Sequence, residues 1–483
     1  MLTRRHFISL TTAATAATVL PGGHAQTLSP VPAVLRATDI RLATVPDTFT
    51  GLSYEIVQLY NADFFSASNS QLVATFRRLT PRGVLRLGGN LSDLSRWHSD
   101  NGDFSTPKQA AAIERGKTYW EWRLTDSTVR SRRDGAITPT AIRNLGSFLD
   151  ATNWRLIYGL NFGSGSPERA ADEAAVVANE MGNRLIAFQI GNESDFFGGN
   201  RLFREPPFDF AEYITELQQF VKAIRATVPA ARFAGPDTAS NMGWVEEFGK
   251  ARMSRTARDK AVLLSSHYYA MGPASNPTMN ADKLLSSNPH LEEQIARAEK
   301  ATADSDGIPF RMTEGNSCFG GGKPDVSDAY VSALWVADYM LRIACAGYAG
   351  VNLHGGGDGF YTPIETLDPD AANPRPMYFG MQFADRFAGY DMLSVDLETT
   401  ASVSAYLGQS KDSIQLALIN KGSLPVRISI EAGLPRKKPG QTWRLSGNDL
   451  AAKSGISMAK IGAGRSAVTL IPPYAAEVRR WDV

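Results

Sequence analysis

The stretch Leu185-Ile186-Ala187-Phe188-Gln189-Ile190-Gly191-Asn192-Glu193 is an apolar run that stops on an amide and an acid, and Pro309-Phe310-Arg311-Met312-Thr313-Glu314 repeats the pattern. Six further apolar or β-branched runs flank these two: Phe49–Ile56, Gly83–Gly89, Trp154–Phe162, Arg232–Ala239, Val262–Ala270 and Gly347–Gly355. Between them lie helical patterns over Asn69–Leu79, Thr138–Ala151, Glu168–Met181, Asp209–Thr227, Asn288–Asp304 and Ser327–Ala346. Eight strand runs alternating with helices predict an α/β chain, a (β/α)8 TIM barrel of parallel strands over residues 49–387. A doubly wound open sheet is the competing reading, but no glycine-rich dinucleotide fingerprint follows an early strand.

Polar residues gather where the runs end: Gly88-Gly89-Asn90, Asn161, Asn192-Glu193, Asp237, His267-Tyr268-Tyr269, Glu314-Gly315-Asn316 and His354-Gly355-Gly356. In a barrel, those strand ends form the face that carries active sites. Glu193 falls on the fourth run and Glu314 on the seventh, so closure brings them to opposite sides of one pocket. Retaining glycosidases need two such carboxyl groups about 5–5.5 Å apart, one as nucleophile and one as acid/base. The acid must hold a proton at neutral pH, while the nucleophile must stay ionised. Asn192 is placed to hydrogen-bond a sugar 2-hydroxyl. Tyr268 or Tyr269 is placed to donate to the nucleophile, and the sequence leaves that choice open. No third His or carboxylate is spaced to complete a metal site, so neither a metal nor another cofactor is expected. Glu55, Asp195, Asp237, His267 and His354 also fall near strand ends, where structural pairing is the simpler expectation.

The Asn192-Glu193 and Glu314 pair resembles that of clan A of the glycoside hydrolases. With Gly51-Leu52-Ser53-Tyr54-Glu55, Leu85-Arg86-Leu87-Gly88-Gly89-Asn90, Thr313-Glu314-Gly315-Asn316-Ser317 and Gly320-Gly321-Gly322-Lys323-Pro324, the chain is similar to glycoside hydrolase family 79. That family holds β-glucuronidases and heparanases, and the resemblance runs from about residue 49 to the end. It implies Glu193 as acid/base and Glu314 as nucleophile of an exo-acting β-glucuronidase. The implied substrate is a glucuronide or a glucuronic-acid-containing glycan. The loop Phe319-Gly320-Gly321-Gly322-Lys323 would hold the sugar carboxylate, because glycines let a backbone approach an anion with its amides free. Some members carry a tyrosine hydroxyl where this chain has Phe319, which leaves recognition to the glycine amides with Lys323 or Tyr361. Gly89 and Asn90 complete the candidate binding set. An endo-acting heparanase-like hydrolase, another clan A β-glycosidase and a non-catalytic carbohydrate-binding protein are the competing functions.

Composition narrows these further. The 483 residues are 43% apolar, enough for a large core, and carry 50 basic against 49 acidic groups. Such a balance gives no footprint for nucleic acid and little for a sulfated chain. Two cysteines, Cys318 and Cys345, make neither a disulfide scaffold nor a thiolate zinc site, and Cys318 reads as a buried free thiol.

At the N-terminus, Thr3-Arg4-Arg5-His6-Phe7-Ile8 is a twin-arginine pattern, followed by an apolar stretch and by Gly23-His24-Ala25. Residues 1–25 therefore read as a signal peptide that directs the protein to the periplasm or the medium. Losing Arg4 and Arg5 leaves 48 basic against 49 acidic groups. No later stretch has the length and apolarity of a membrane span.

From residue 388 the pattern becomes short strands, Ala401–Leu407, Ser413–Asn420, Val426–Ile430, Thr442–Leu445 and Ala467–Ile471, which predicts an antiparallel β-sandwich over 388–483. Residues 26–48 are expected to join it. The long loop from Leu91 to Ile137 carries Trp97, Tyr119, Trp120 and Trp122, read as a small anchoring core or an aglycone platform, and a surface cluster of Arg130, Arg132 and Arg133.

Overall fold

The computed structural model describes residues 29–99, 102–103, 111, 135–200, 203–251, 261–355, 359–367, 371–435, 438–462 and 468–483. Its eight parallel strands close into a barrel. In chain order they are Thr50–Glu55, Val84–Gly88, Arg155–Leu160, Leu185–Ile190, Phe233–Thr238, Leu263–Met271, Phe310–Cys318 and Val351–His354, referred to as the first to eighth barrel strands. The last pairs with the first, Leu353 beside Leu52, which completes the closure. Each of the eight expected runs holds one strand, and the strands are buried along almost their whole length because helices cover their outer faces.

Local chemistry sets where the helices begin. Asn69, Thr138, Ser166, Asp209 and Asn288 each accept a backbone N–H of the first turn, and Asp209 with Glu212 forms a capping box. Pro167 and Pro289 then occupy the first helical position, where no N–H is needed. Four helices were not legible in the sequence: Phe197–Asn200, Met242–Ala251, Ala281–Leu285 and Pro376–Asp385. The first and third are under two turns long, and glycines interrupt the apolar pattern of the other two.

The C-terminal strands form one hydrogen-bonded sheet of nine strands. Val31–Thr44 lies within it, antiparallel to Asp391–Thr399 and parallel to Val426–Ala432. The expectation of an antiparallel sandwich is thus corrected in detail: one pair is parallel, and the two layers belong to a continuous sheet. The sheet curls until its edge strand Val468–Ile471 faces Ser413–Asn420 and Ala475–Asp482, where Asn420 Nδ2 donates to Pro472 O at 2.9 Å. Leu35, Leu416, Leu418, Ile428, Ile471 and Trp481 fill the space between.

The helix Tyr330–Cys345, buried on nearly every side, joins barrel to sheet. Tyr330 Oη donates to Tyr474 O at 2.8 Å, and Tyr406 Oη donates to Asp338 Oδ1 at 2.7 Å.

The twin-arginine segment and Tyr119, Trp120, Trp122, Arg130, Arg132 and Arg133 lie outside the described residues. Trp97 is buried and donates to Asp172 at 2.6 Å, an anchoring role. Among the described residues, no helix is long and apolar enough to cross a membrane.

Candidate active site

Arg86 stands between Leu85 and Leu87 on the second barrel strand, with 0% of its surface exposed. A buried guanidinium is tolerable only when its donors are occupied. Here all five are: Nε donates to Gln189 Oε1 (3.0 Å), Nη1 to Ser53 Oγ (3.2 Å) and Glu314 Oε2 (2.8 Å), and Nη2 to Asn192 Oδ1 (2.7 Å) and Asp237 Oδ2. One side chain therefore ties together the ends of five barrel strands. Gly88 leaves it room, since a Cβ there would fall 2.3 Å from Arg86 Cζ.

His267 occupies the other side of the acids. Its Nδ1 lies 2.9 Å from Glu193 Oε1 and 3.9 Å from Glu314 Oε1. Its Nε2 lies 3.2 Å from Asp237 Oδ1, close enough for charge pairing although off the hydrogen-bond line. Burial disfavours the imidazolium, but the charges of Glu314 and Asp237 outweigh it and raise the His267 pKa to about 10. Asp237 is correspondingly held well below the usual carboxylate range: burial opposes its charge, and Arg86 and His267 overcome that. Gln189 Nε2 (2.7 Å) and Thr313 Oγ1 also donate to it.

Glu314 is buried at the pocket floor, with Arg86 on Oε2 and Tyr269 Oη donating to Oε1 at 2.7 Å. Burial opposes its charge, yet its cationic neighbours hold it below the ordinary range. His354 is the nearest of these in effect, 3.6 Å from Oε2, but burial lowers its own pKa. The Ser53 hydroxyl accepts from Arg86 and shares a hydrogen bond with His354 Nδ1, 3.0 Å away. At neutral pH the cations that keep Glu314 ionised are therefore His267 and Arg86.

The fourth strand presents Glu193 through a sharp turn, with Gly191 at φ 85° and Glu193 itself at φ 50°. The Glu193 amide donates to Asp237 O at 2.9 Å. The Asn192 amide donates to Asp93 Oδ2 at 3.0 Å, while Asp93 Oδ1 accepts from Phe162 and Gly163. The left-handed conformation of a glutamate is thus fixed from both sides. Its carboxylate, 14% exposed, faces the cavity, and it and Glu314 each place an oxygen within 4.8 Å of the other's.

Both carboxylates line a cavity of about 1220 Å³ at the C-terminal mouth of the barrel. Glu55 lines it too, its pKa pushed up to about 8 by burial and by Glu314 against the pull of the Leu91 and Asn90 amides. Gly89, at φ 76°, makes this possible, since a Cβ would fall 2.3 Å from the Glu55 carboxylate. Asn90 also lines the cavity and accepts from Asn192 Nδ2 at 3.1 Å.

The two tyrosines separate by strand alternation. Tyr269 points inward with His267. Tyr268 stacks on Tyr339 at 5.2 Å and accepts from Asn288 Nδ2 at 2.8 Å, and it borders the cavity without reaching Glu314. Gly320, Gly321 and Gly322 all have φ between 79° and 91° and border the cavity with Phe319 and Tyr361. Lys323 is placed differently from its expected role: its ammonium donates to Ala274 O (3.0 Å) and Asn276 O (2.9 Å), which ties down the loop and spends the charge there. Cys318 Sγ donates to Gly272 O at 2.7 Å, and burial pushes its thiol up to about 11.

Sequence reasoning gave no role to Arg86 and treated His267 as structural. A lone arginine between leucines in a strand covered on both faces was the signal, because its charge has only the barrel interior to go to. Glu193, His267 and Glu314 offer ligand atoms within 4.8 Å of one another. The His267 Nδ1 among these atoms is taken up by its hydrogen bond with Glu193 Oε1 at 2.9 Å.

No protein-family profile matches the chain. Over 342 residues it is 26% identical to a β-glucuronidase of Neurospora crassa, covering 62% of this chain and 60% of that one. It is 22% identical to a β-glucuronidase of Aspergillus niger, covering 55% and 54% respectively. The chain thus spans less than two thirds of either relative's length. A crystal structure of a 4-O-α-L-rhamnosyl-β-D-glucuronidase from Fusarium oxysporum superposes with a TM-score of 0.67 at 18% identity, covering 92% of this chain and 99% of that one. A GH51 arabinofuranosidase from Xanthomonas axonopodis pv. citri gives 0.65 at 15%, covering 93% and 99%. The fold is that of these barrel-and-sheet proteins.

Proposed function

We propose that the chain is a retaining exo-β-glucuronidase of the family 79 type, acting on terminal glucuronic acid. The observation that carries this reading is the pair at the barrel mouth: a buried, ionised Glu314 with its oxygen within 4.8 Å of that of Glu193. This short separation suits direct attack, whereas an inverting pair needs about 6.5–9.5 Å to admit water between the groups. The similarity to the two fungal β-glucuronidases supports the choice of sugar.

In this scheme Glu193 protonates the leaving oxygen while Glu314 attacks the anomeric carbon and forms a covalent glycosyl-enzyme. Arg86 and Tyr269 each hold one Glu314 oxygen, which keeps it charged and aimed. Glu193 then deprotonates water for the second step. Three carboxylates, Glu193, Asp237 and Glu314, surround the two cations Arg86 and His267. Asp237 and Glu314 are the ones held ionised, and Glu193, which reaches the cavity, is the carboxyl placed to exchange a proton with the leaving oxygen. Asn192 serves the 2-hydroxyl, and the amides of Gly320, Gly321 and Gly322 serve the sugar carboxylate. Export through residues 1–25 goes with this reading, and cell fractionation of the full chain tests it.

A panel of p-nitrophenyl β-glycosides tests the sugar. The glucuronide should dominate over glucoside, galactoside and xyloside. Activity confined to a neutral sugar would keep the carboxylate pair and overturn the glucuronate assignment. NMR of the first-formed anomer tests retention: the β-anomer is expected, and initial α-anomer would contradict it.

A further inference from the structure

Nine large apolar side chains are exposed among the described residues, and four of them, Phe196, Phe319, Phe360 and Leu367, line the one cavity that holds Glu193 and Glu314. They are 52%, 40%, 45% and 49% exposed, and they include every exposed phenylalanine in that set. The other five, Ile40, Leu42, Leu424, Leu470 and Val483, lie in or beside the C-terminal sheet domain. Apolar surface concentrated at the mouth of a polar pocket marks a binding site.

The placement of Phe196 says which part of a substrate it meets. It ends the short turn that begins at Glu193, and its amide donates to Glu193 O at 2.9 Å. An acid/base must reach the glycosidic oxygen, so the leaving group lies on the Glu193 side, beside Phe196. Phe319 stands edge-on to Tyr269 at 6.3 Å and continues the apolar rim past the nucleophile.

Of the cations near this mouth, Lys323 and Arg375 are committed, whereas the exposed Lys283 also lines the cavity. Lys323 is bonded to two carbonyls, and Arg375 is bonded to Gly359 O and Glu365. Lys283 alone is a sparse footprint for a sulfated chain beside the four apolar side chains. Phe196, Phe319, Phe360 and Leu367 themselves offer the hydroxyls of a further sugar no hydrogen bond, and an unpaired hydroxyl is costly to desolvate.

We infer that this rim is a leaving-group site for an apolar aromatic aglycone, an aryl or polycyclic phenol glycoside. The inference rests on the proposed glycosidase reading and names the class of its second substrate moiety. It also gives Phe319 a use that needs no hydroxyl.

Leaving-group acidity must be kept apart from binding, so the probes are phenyl and 4-tert-butylphenyl β-D-glucuronides, whose phenols ionise alike but differ in apolar bulk. The wild type should favour the tert-butylphenyl compound in kcat/KM by about tenfold, the scale of burying part of one apolar side chain. Phe196→Ser and Leu367→Ser, both at exposed positions, should bring the ratio toward one by lowering kcat/KM for the tert-butylphenyl compound more than for phenyl glucuronide, with the melting temperature unchanged. A wild-type ratio near one, a ratio untouched by both variants, or a glucuronyl-galactose disaccharide preferred over the aryl substrates would overturn the inference. If glucuronides are inert but aryl glycosides of another sugar show the same ratio and the same response to the variants, the sugar assignment falls and the aromatic site stands.

Discussion

Two of the buried ionic clusters among the described residues are built to opposite ends. In the C-terminal sheet, Glu477 has one carboxylate oxygen bonded by Arg444 (2.6 Å) and the other by Arg479 (2.9 Å). One anion is enclosed by two cations, and every contact is internal. In the barrel mouth, two cations serve three carboxylates, and the cluster borders a cavity. Both satisfy the rule that buried charge must be paired. The sheet cluster has charge to spare, whereas the barrel cluster is short of one positive charge on the side where a substrate enters. A proton that must be shared beside a pocket is what acid/base chemistry requires.

Neutralising each cluster separately sharpens this contrast. Glu314→Gln should lower kcat by about 10⁴-fold or more, the scale of losing a catalytic group, with the melting temperature held or raised because one excess anion is gone. Equal loss of turnover and of fold would make Glu314 structural. Glu477→Gln should do the reverse, costing about 3 kcal/mol in urea unfolding by leaving two guanidinium groups underpaired, with kcat unchanged. A drop in kcat there would erase the distinction between the clusters.

Tyr269→Phe removes a donor to the charged form of Glu314. Its expected effect is a fall in kcat of about tenfold, roughly the worth of one hydrogen bond to a charged group. The acidic limb of the kcat/KM profile should also move to higher pH, because Glu314 then binds its proton more readily. An unshifted limb would mean the hydroxyl does not tune the nucleophile.

The last effect is on stability alone and belongs to Glu55, whose pKa rises from 4.5 to about 8 on folding. Its stabilising contribution is complete below pH 4.5 and is lost as pH climbs through 8, since the unfolded chain releases that proton first. The stability of the wild type relative to Glu55→Gln should therefore decline from pH 5 to pH 9. A difference that does not vary with pH would show that Glu55 ionises normally.

Much of the site could be read from the sequence because backbone rules carry it. Apolar runs between helical patterns locate eight strands, and position at a strand end brings Glu193 and Glu314 together. Tyr269 could not be told from Tyr268 without knowing which neighbour faces inward, although His267 two residues earlier shares its face. Arg86, His267 and Asp237 were harder. Their roles arise from contacts between different strands, and no spacing along the chain records a bond between residues 86 and 314. The parallel pairing of Val31–Thr44 with Val426–Ala432 was hidden for the same reason, the partners lying nearly the whole chain apart.

Trapping the covalent intermediate tests the central claim most directly. The protein would be incubated with 2-deoxy-2-fluoro-β-D-glucuronyl fluoride and its peptides mapped by mass spectrometry. A single added fluoroglucuronyl group on Glu314 is the predicted result. A label on Glu193, or steady turnover of a matching aryl glucuronide with no label at all, would contradict the account.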